Sequence, residues 1–332
     1  MQIFMIGEAA NHADTLAAAL QSPLPIRALP REAAFDPGGD AAIGPEDVVI
    51  SLRFRRPAGT APAFGLLHVP GAGLDGIAFD ALTPATTVCN VFEHEIPIAE
   101  FVLASMLDRA IDLQAMRDSF APDRWSETYR NRVPHAEIHG STLGLIGFGR
   151  IGRAIASRAR GFGLRIMAVD AATDDPGPAD RLLPPERMGE MLAAADWLVI
   201  ACPLTEATEG LIGAAELARM KASAVLINIS RAEIVAQAPL FAALRDGGIG
   251  GAVLDVWYRY PVASDDIVAP ADLPFASLPN VTCTPHSSAW TRELPRRRYG
   301  LIASNIDRLR RGEPLVNVVR PAAAPAESRQ SR

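Results

Sequence analysis

The stretch Thr142-Leu143-Gly144-Leu145-Ile146-Gly147-Phe148-Gly149-Arg150-Ile151-Gly152 decides how the chain is read. A short apolar run enters a Gly-x-Gly-x-x-Gly turn, and the next apolar run, Arg165 to Val169, ends in Asp170. Each part has its own physical task in holding a dinucleotide. Gly147 permits the tight turn out of a strand, Gly149 lets the backbone approach a pyrophosphate, and Gly152 lets the following helix pack closely on the sheet. A helix starting at Arg150 offers N–H groups and a positive dipole end to phosphates, which places Phe148, Arg150 and Ile151 at the same turn. Asp170 lies about eighteen residues beyond the last glycine. A carboxylate there bonds ribose hydroxyls and repels a 2′-phosphate, so the pattern favours NAD over NADP.

Gly71-Ala72-Gly73-Leu74-Asp75-Gly76 fits the same glycine spacing. No acidic residue closes a second strand at the required distance after it, and the context therefore reads as a tight surface turn.

Working outward, 332 residues with 49% hydrophobic content suffice for two domains with ordinary cores. A net charge of −6 argues against a nucleic-acid footprint, which needs a basic face. The dense basic run Arg296-Arg297-Arg298 reads as a solvated helix face. Cys89, Cys202 and Cys283 are widely spaced without a metal-ligand rhythm, so no metal is expected and the thiols suit a reducing, cytoplasmic setting. No stretch approaches a membrane span, and Gln2 to Ile6 reads as a buried strand, with Gly7 turning into a helix through Leu20.

Apolar runs alternate with helical patterns, which predicts an α/β protein with two Rossmann-like, doubly wound parallel sheets and a cleft between them. Val48 to Leu52, Gly65 to Val69 and Thr87 to Val91 continue the first unit. Ile98 to Gln114 reads as a long helix crossing into the second, whose strands recur at Leu164 to Val169, Trp197 to Ala201, Val225 to Ile229, Gly251 to Val256 and Val281 to Cys283. The Asp- and Pro-rich segment Ala172 to Pro185 reads as a loop near the adenosine end. The last helix, Pro295 to Arg311, with Leu301, Ile302, Ile306 and Leu309 on its apolar side, is expected to return to the first domain. The expected division is 1–97 plus 295–320, 98–294, and a disordered tail from Pro321.

The order and spacing of five motifs resemble the D-2-hydroxyacid dehydrogenases. They are Thr142 to Gly152, Cys202-Pro203-Leu204-Thr205 with Thr208, Asn228-Ile229-Ser230-Arg231, the run ending Leu254-Asp255-Val256, and Thr284-Pro285-His286. The resemblance implies hydride transfer between NAD and a small 2-hydroxy or 2-keto acid, in a homodimer with a flavodoxin-like substrate domain. It implies Arg231 as carboxylate anchor and polariser, a role its planar fork suits. It implies His286 as the general acid or base. Cys202, Pro203, Thr208, Ile229, Ser230, Asp255 and Ser288 would line the coenzyme, with Asp255 toward the nicotinamide. Val69 to Asp75 resembles the family's carboxylate-holding turn, where a backbone nest at Ala72 and Gly73 would serve, and Arg53 near a strand end is a candidate for a second anionic group.

One departure stands out. The family's glutamate, which favours an imidazolium, is replaced here by Tyr260 in Asp255-Val256-Trp257-Tyr258-Arg259-Tyr260. A neutral phenol gives no such charge stabilisation, so His286 is expected to stay neutral over more of the pH range, with Tyr260 orienting it by a hydrogen bond. Glu95 and Glu293 are the other candidates for the missing carboxylate, and His94, Trp257 and Trp290 for the site wall. Two alternatives follow from Tyr260: formate oxidation, which hands the enzyme no proton and whose branch of the family also lacks the glutamate, or a dinucleotide-binding protein without turnover. Ala232, where the family has glycine, adds a β-carbon beside Arg231.

Overall fold

The computed structural model describes residues 1–36, 38, 42–261 and 266–323. They form two compact units, one from Met1–Glu93 together with the chain from Arg292 onward, the other His94–Thr291. The divisions expected at 97/98 and 294/295 fall at 93/94 and 291/292, because helix Glu95–Ile111 belongs whole to the second unit and helix Leu294–Arg311 whole to the first. Residues 324–332 of the expected tail lie outside the described residues.

The first unit carries β1 (Ile3–Ile6), β2 (Ile26–Leu29), β3 (Val48–Ile50), β4 (Leu66–His68) and β5 (Thr87–Cys89), all parallel. The Val, Ile and Leu runs of β1, β3 and β4 are buried on both faces, as central parallel strands require, while β2 at the sheet edge is partly exposed. Phe4, Ile6, Val49, Leu67 and Val88 point to one core, and Ile3, Met5, Val48, Ile50, Leu66 and Cys89 to the other.

The second unit carries β6 (Thr142–Ile146), β7 (Arg165–Val169), β8 (Arg181–Leu183), β9 (Trp197–Ile200), β10 (Val225–Asn228), β11 (Gly251–Leu254) and β12 (Val281–Cys283). They form a parallel sheet in the order β12-β11-β10-β9-β6-β7-β8. The order reverses between β6 and β9, the switch point beyond whose carboxyl ends a doubly wound sheet binds ligands. Gly147 leaves β6 there and Cys202 follows β9.

Helix Leu294–Arg311 then returns to the first unit, where Tyr299, Ile302, Ala303 and Ile306 fill the core against β1 and β3. β13 (Val318–Arg320) then pairs antiparallel with β5 and completes the sheet order β13-β5-β4-β3-β1-β2.

Three expectations are corrected. The segment Ala172 to Pro185 is not all loop, because β8 pairs with β7. Asp180 sets that register: its carboxylate accepts the Ile166 N–H at 2.7 Å and its own N–H donates to the Ile166 carbonyl, which also holds the acid below its usual range. The helix predicted from Ile98 to Gln114 breaks at Asp112, whose left-handed backbone (φ 55°) ends one helix while its side chain accepts the Ala115 N–H and caps the next, Leu113–Ser119. The helix expected after Gly7 begins as a tighter turn, Gly7–His12, before Ala13–Ala19.

Candidate active site

The glycine turn has the geometry its sequence implies. Gly147 sits at φ +95°, and a β-carbon there would lie 2.4 Å from the Cys202 nitrogen. At Gly152 it would lie 2.3 Å from the Gly147 carbonyl oxygen, so a side chain would push helix Arg150–Arg160 off the strand. Gly149 differs: a β-carbon there meets nothing within 4 Å. That open space sits before a helix N-terminus that has no side-chain cap. An open glycine in front of uncapped N–H groups fits a pyrophosphate.

Asp170 is partly exposed, and its carboxylate accepts the Phe148 N–H at 2.6 Å and the Ala172 N–H at 2.7 Å. Each oxygen retains acceptor capacity for a ribose hydroxyl. A cavity of about 480 Å³ beside it is lined by Asp174, Leu183, Pro185 and Glu186 as well as Asp170. Arg153, one turn into the helix, lies over the Phe148 ring, donates to the Phe148 carbonyl and ties down Thr173 and Asp175. Sequence reasoning passed over it, although a cation one turn past Gly149 was the available signal.

Cys202 is buried, and burial pushes its thiol up to about 11, which keeps it a protonated wall residue rather than a nucleophile. Its carbonyl accepts the Ser230 hydroxyl at 2.5 Å. Thr208 donates to the Pro203 carbonyl at 2.7 Å and accepts the Thr205 N–H, so its hydroxyl shapes the turn after Cys202.

Arg231 emerges just beyond β10, exposed, with Nη1 donating to the Ser230 carbonyl at 2.8 Å. Buried Asn228 organises this end: its Oδ1 accepts the Ser230 N–H and its Nδ2 donates to the Arg231 carbonyl. An Asn closing its own turn at a strand end was the signal for it. Ile229 and Ala232 pack inward on either side.

His286 follows β12 on a residue of positive φ (55°). That backbone is held by Asp255, which is fully buried at the end of β11. One carboxylate oxygen accepts the Thr284 hydroxyl at 2.6 Å and the Ser287 N–H at 2.8 Å; the other accepts the Ser288 N–H at 3.0 Å. Asp255 therefore faces into the protein and clamps the histidine loop, a different task from the nicotinamide contact that the resemblance implies. Ser288 is buried with it.

No carboxylate sits on His286 Nδ1 among the described residues. The Tyr260 hydroxyl is there at 2.9 Å, and it accepts the Trp257 backbone N–H at 3.0 Å. The Trp257 indole in turn donates to the Thr284 carbonyl at 2.9 Å, tying the 257–260 segment to the histidine loop. Burial lowers the His286 pKa and the Arg231 charge lowers it further, against a raising effect of Asp255. A cavity of about 630 Å³ lies beside this pair, walled by Trp257, Val268, Pro270 and Cys283. Trp290 is 89% exposed and packs against little.

In the first unit, the turn after β4 is oriented through its carbonyls, Gly71 accepting from Val91 and Ala72 from Asn90. A β-carbon on Gly76 would lie 2.4 Å from the Leu52 carbonyl oxygen, so this glycine serves close packing. Gly73 and Arg53 are exposed.

Residues 103–288 match the D-isomer specific 2-hydroxyacid dehydrogenase, NAD binding domain, and the chain belongs to that family. It is 37% identical over 183 residues to a glyoxylate reductase of Korarchaeum cryptofilum, a match covering 55% of this chain and 53% of that protein. The chain thus spans about half the length of that relative. Among solved structures, the NAD-complexed D-isomer specific 2-hydroxyacid dehydrogenase of Lactobacillus delbrueckii ssp. bulgaricus superposes with a TM-score of 0.74 at 23% identity, over 96% of this chain and 100% of that one. The enzyme of Xanthobacter autotrophicus Py2, in complex with NADPH and MES, does so with a TM-score of 0.71 at 25% identity, over 96% and 97%. The homologues are oxidoreductases, and the coenzyme class is NAD(P). Among the described residues, no helix is long and apolar enough to cross a membrane, and no cluster of three or more His, Cys, Asp or Glu could hold a metal.

Proposed function

We propose that the protein is an NAD-dependent dehydrogenase that reduces a small 2-keto acid to the D-2-hydroxy acid, with Arg231 and His286 as its catalytic residues. The observation that carries this is the position of His286: its Nδ1 is engaged by the protein, which leaves Nε2 for a substrate, on the same carboxyl edge of one sheet as the open Gly149 turn. A reduced nicotinamide held on that edge supplies the hydride. Arg231 binds the substrate carboxylate and polarises the keto oxygen, and His286 protonates that oxygen.

NAD rather than NADP is favoured by the carboxylates of Asp170, Asp174 and Glu186 around one cavity, since a 2′-phosphate would meet negative charge there. The uncharged partner of His286 supports a second reading, oxidation of formate, in which no proton passes to the enzyme. The exposed, mutually packed Phe120, Trp125 and Tyr129, with Leu113 exposed nearby, support a homodimer through this segment. Buried, protonated Cys89 and Cys202 suit a cytoplasmic protein.

The test follows absorbance of the reduced nicotinamide with a panel of 2-keto acids, and with formate and NAD in reverse. Loss of NADH with keto acids, at least about tenfold better in kcat/KM than with NADPH, is expected. Turnover of formate alone supports the second reading, and tight NADH binding without turnover of either removes both.

A further inference from the structure

We propose that Tyr260 is a positioning residue that works in the opposite sense from a carboxylate: it donates its hydroxyl proton to His286 Nδ1, fixes the neutral imidazole with its proton on Nε2, and resupplies Nδ1 when Nε2 gives that proton away. The proposal rests on the keto acid reading above and deepens it.

The direction of the bond follows from counting protons. A phenol has one proton, and its oxygen already accepts the Trp257 N–H at 3.0 Å. A phenol is also a better donor than acceptor, because its lone pair is delocalised into the ring. The Nδ1 atom at 2.9 Å is therefore the acceptor for the Tyr260 proton, and the remaining proton of a neutral imidazole falls on Nε2. Indole Nε1 of Trp257, anchored on the Thr284 carbonyl, holds the tyrosine segment and the histidine loop in register.

The charged and titratable groups that act on the pair agree with a neutral state. On His286, burial and Arg231 favour the neutral ring and Asp255 opposes them. On Tyr260, burial raises the phenol, Glu233 and Asp255 raise it further, and Arg231 and the Trp257 N–H lower it, with a net upward shift. Both groups are thus neutral across a wide span between a lowered imidazole and a raised phenol.

The proton bookkeeping closes. As the keto carbon gains hydride, its oxygen takes the Nε2 proton, so one N–H bond breaks and one O–H bond forms. Nδ1 takes the Tyr260 proton, which restores a neutral imidazole and leaves a phenolate. An alkoxide is a much stronger base than a phenolate, so the net transfer is downhill. Tyr260 is 45% exposed, and water returns its proton. No imidazolium is needed, and reduction does not depend on the pH at which His286 would charge.

Two measurements test this. Nitrogen-15 NMR of His286 in the coenzyme-free protein at about pH 8 is expected to show a protonated Nε2 and a bare Nδ1. A proton on Nδ1 overturns the proposal, whatever the activity. The second measurement is the pH profile of keto acid reduction. The wild type is expected to stay level above the imidazole midpoint, whereas Tyr260→Phe falls about tenfold per pH unit there because only the imidazolium then carries a transferable proton. Tyr260→Glu, which keeps a partner on Nδ1 if the phenylalanine variant fails to fold, should fall too, from a midpoint raised by about one pH unit or more. Profiles of the wild type and both variants that coincide overturn the relay. Absence of wild-type turnover counts against the function proposed above, and the NMR result still decides the tyrosine's role.

Discussion

Two ends of one sheet edge are built on different principles. At the glycine turn, shape is enforced by repulsion: β-carbons on Gly147 and Gly152 would come within 2.3–2.4 Å of backbone atoms, and only glycine fits at those two positions. At the Arg231–His286 end, shape is enforced by attraction, through Asn228, Asp255 and Tyr260, each satisfying specific donors or acceptors. Steric necessity restricts a position to one residue type. A hydrogen-bond need can be met by several, so this end is free to vary, and Tyr260 is such a variation.

Three substitutions would break or sharpen that contrast. His286→Gln removes the proton donor and should cut kcat by about 10²- to 10⁴-fold while NADH binding, followed by fluorescence, stays within about threefold. Equal loss of both would merge the two ends into one unit. Gly152→Ala should do the reverse, weakening NADH by about a hundredfold, or ~2.7 kcal/mol, because the helix start must move away from the phosphates. Unchanged affinity in a folded Gly152→Ala protein would show that the close approach to the Gly147 oxygen is not needed.

Asp255→Asn removes the charge and keeps one acceptor oxygen, enough for the Thr284 hydroxyl and Ser287 N–H but not also for the Ser288 N–H, which would face the amide NH2. Asp255 raises the His286 pKa, so removing its charge should move the histidine midpoint further below its ordinary value of about 6.5, as read by NMR titration. Less negative charge nearby disfavours the imidazolium, and an upward move would overturn the raising effect ascribed to Asp255.

The same contrast explains what the sequence disclosed. The glycine turn, Asp170, Arg231 and His286 were legible because each sits at a strand end within a spaced pattern, and the alternation of β6, β7, β9, β10 and β11 between two cores is written in their Val, Ile and Leu runs. Tyr260 was legible only as a departure from the family pattern. The work of Asp255 was not, because a carboxylate that accepts backbone N–H groups from residues 287 and 288 leaves no periodic trace. β8 was hidden for a related reason: three residues behind an Asp- and Pro-rich segment are held by one Asp180 carboxylate rather than by a long apolar run. The break at Asp112 was masked because apolar residues continue beyond it.

The interruption of the first unit by the second has a consequence for biosynthesis. While His94–Thr291 is being made, the strands of Met1–Glu93 lack Tyr299, Ile302 and Ile306, the residues that cover Ile3, Met5, Val48 and Ile50. Nearly two hundred residues must leave the ribosome before that greasy face is shielded, which at about 5–20 residues per second leaves it bare for roughly ten seconds or more. The nascent chain is therefore most prone to aggregate in that interval, after Met1–Glu93 has emerged and before helix Leu294–Arg311 arrives to cover it.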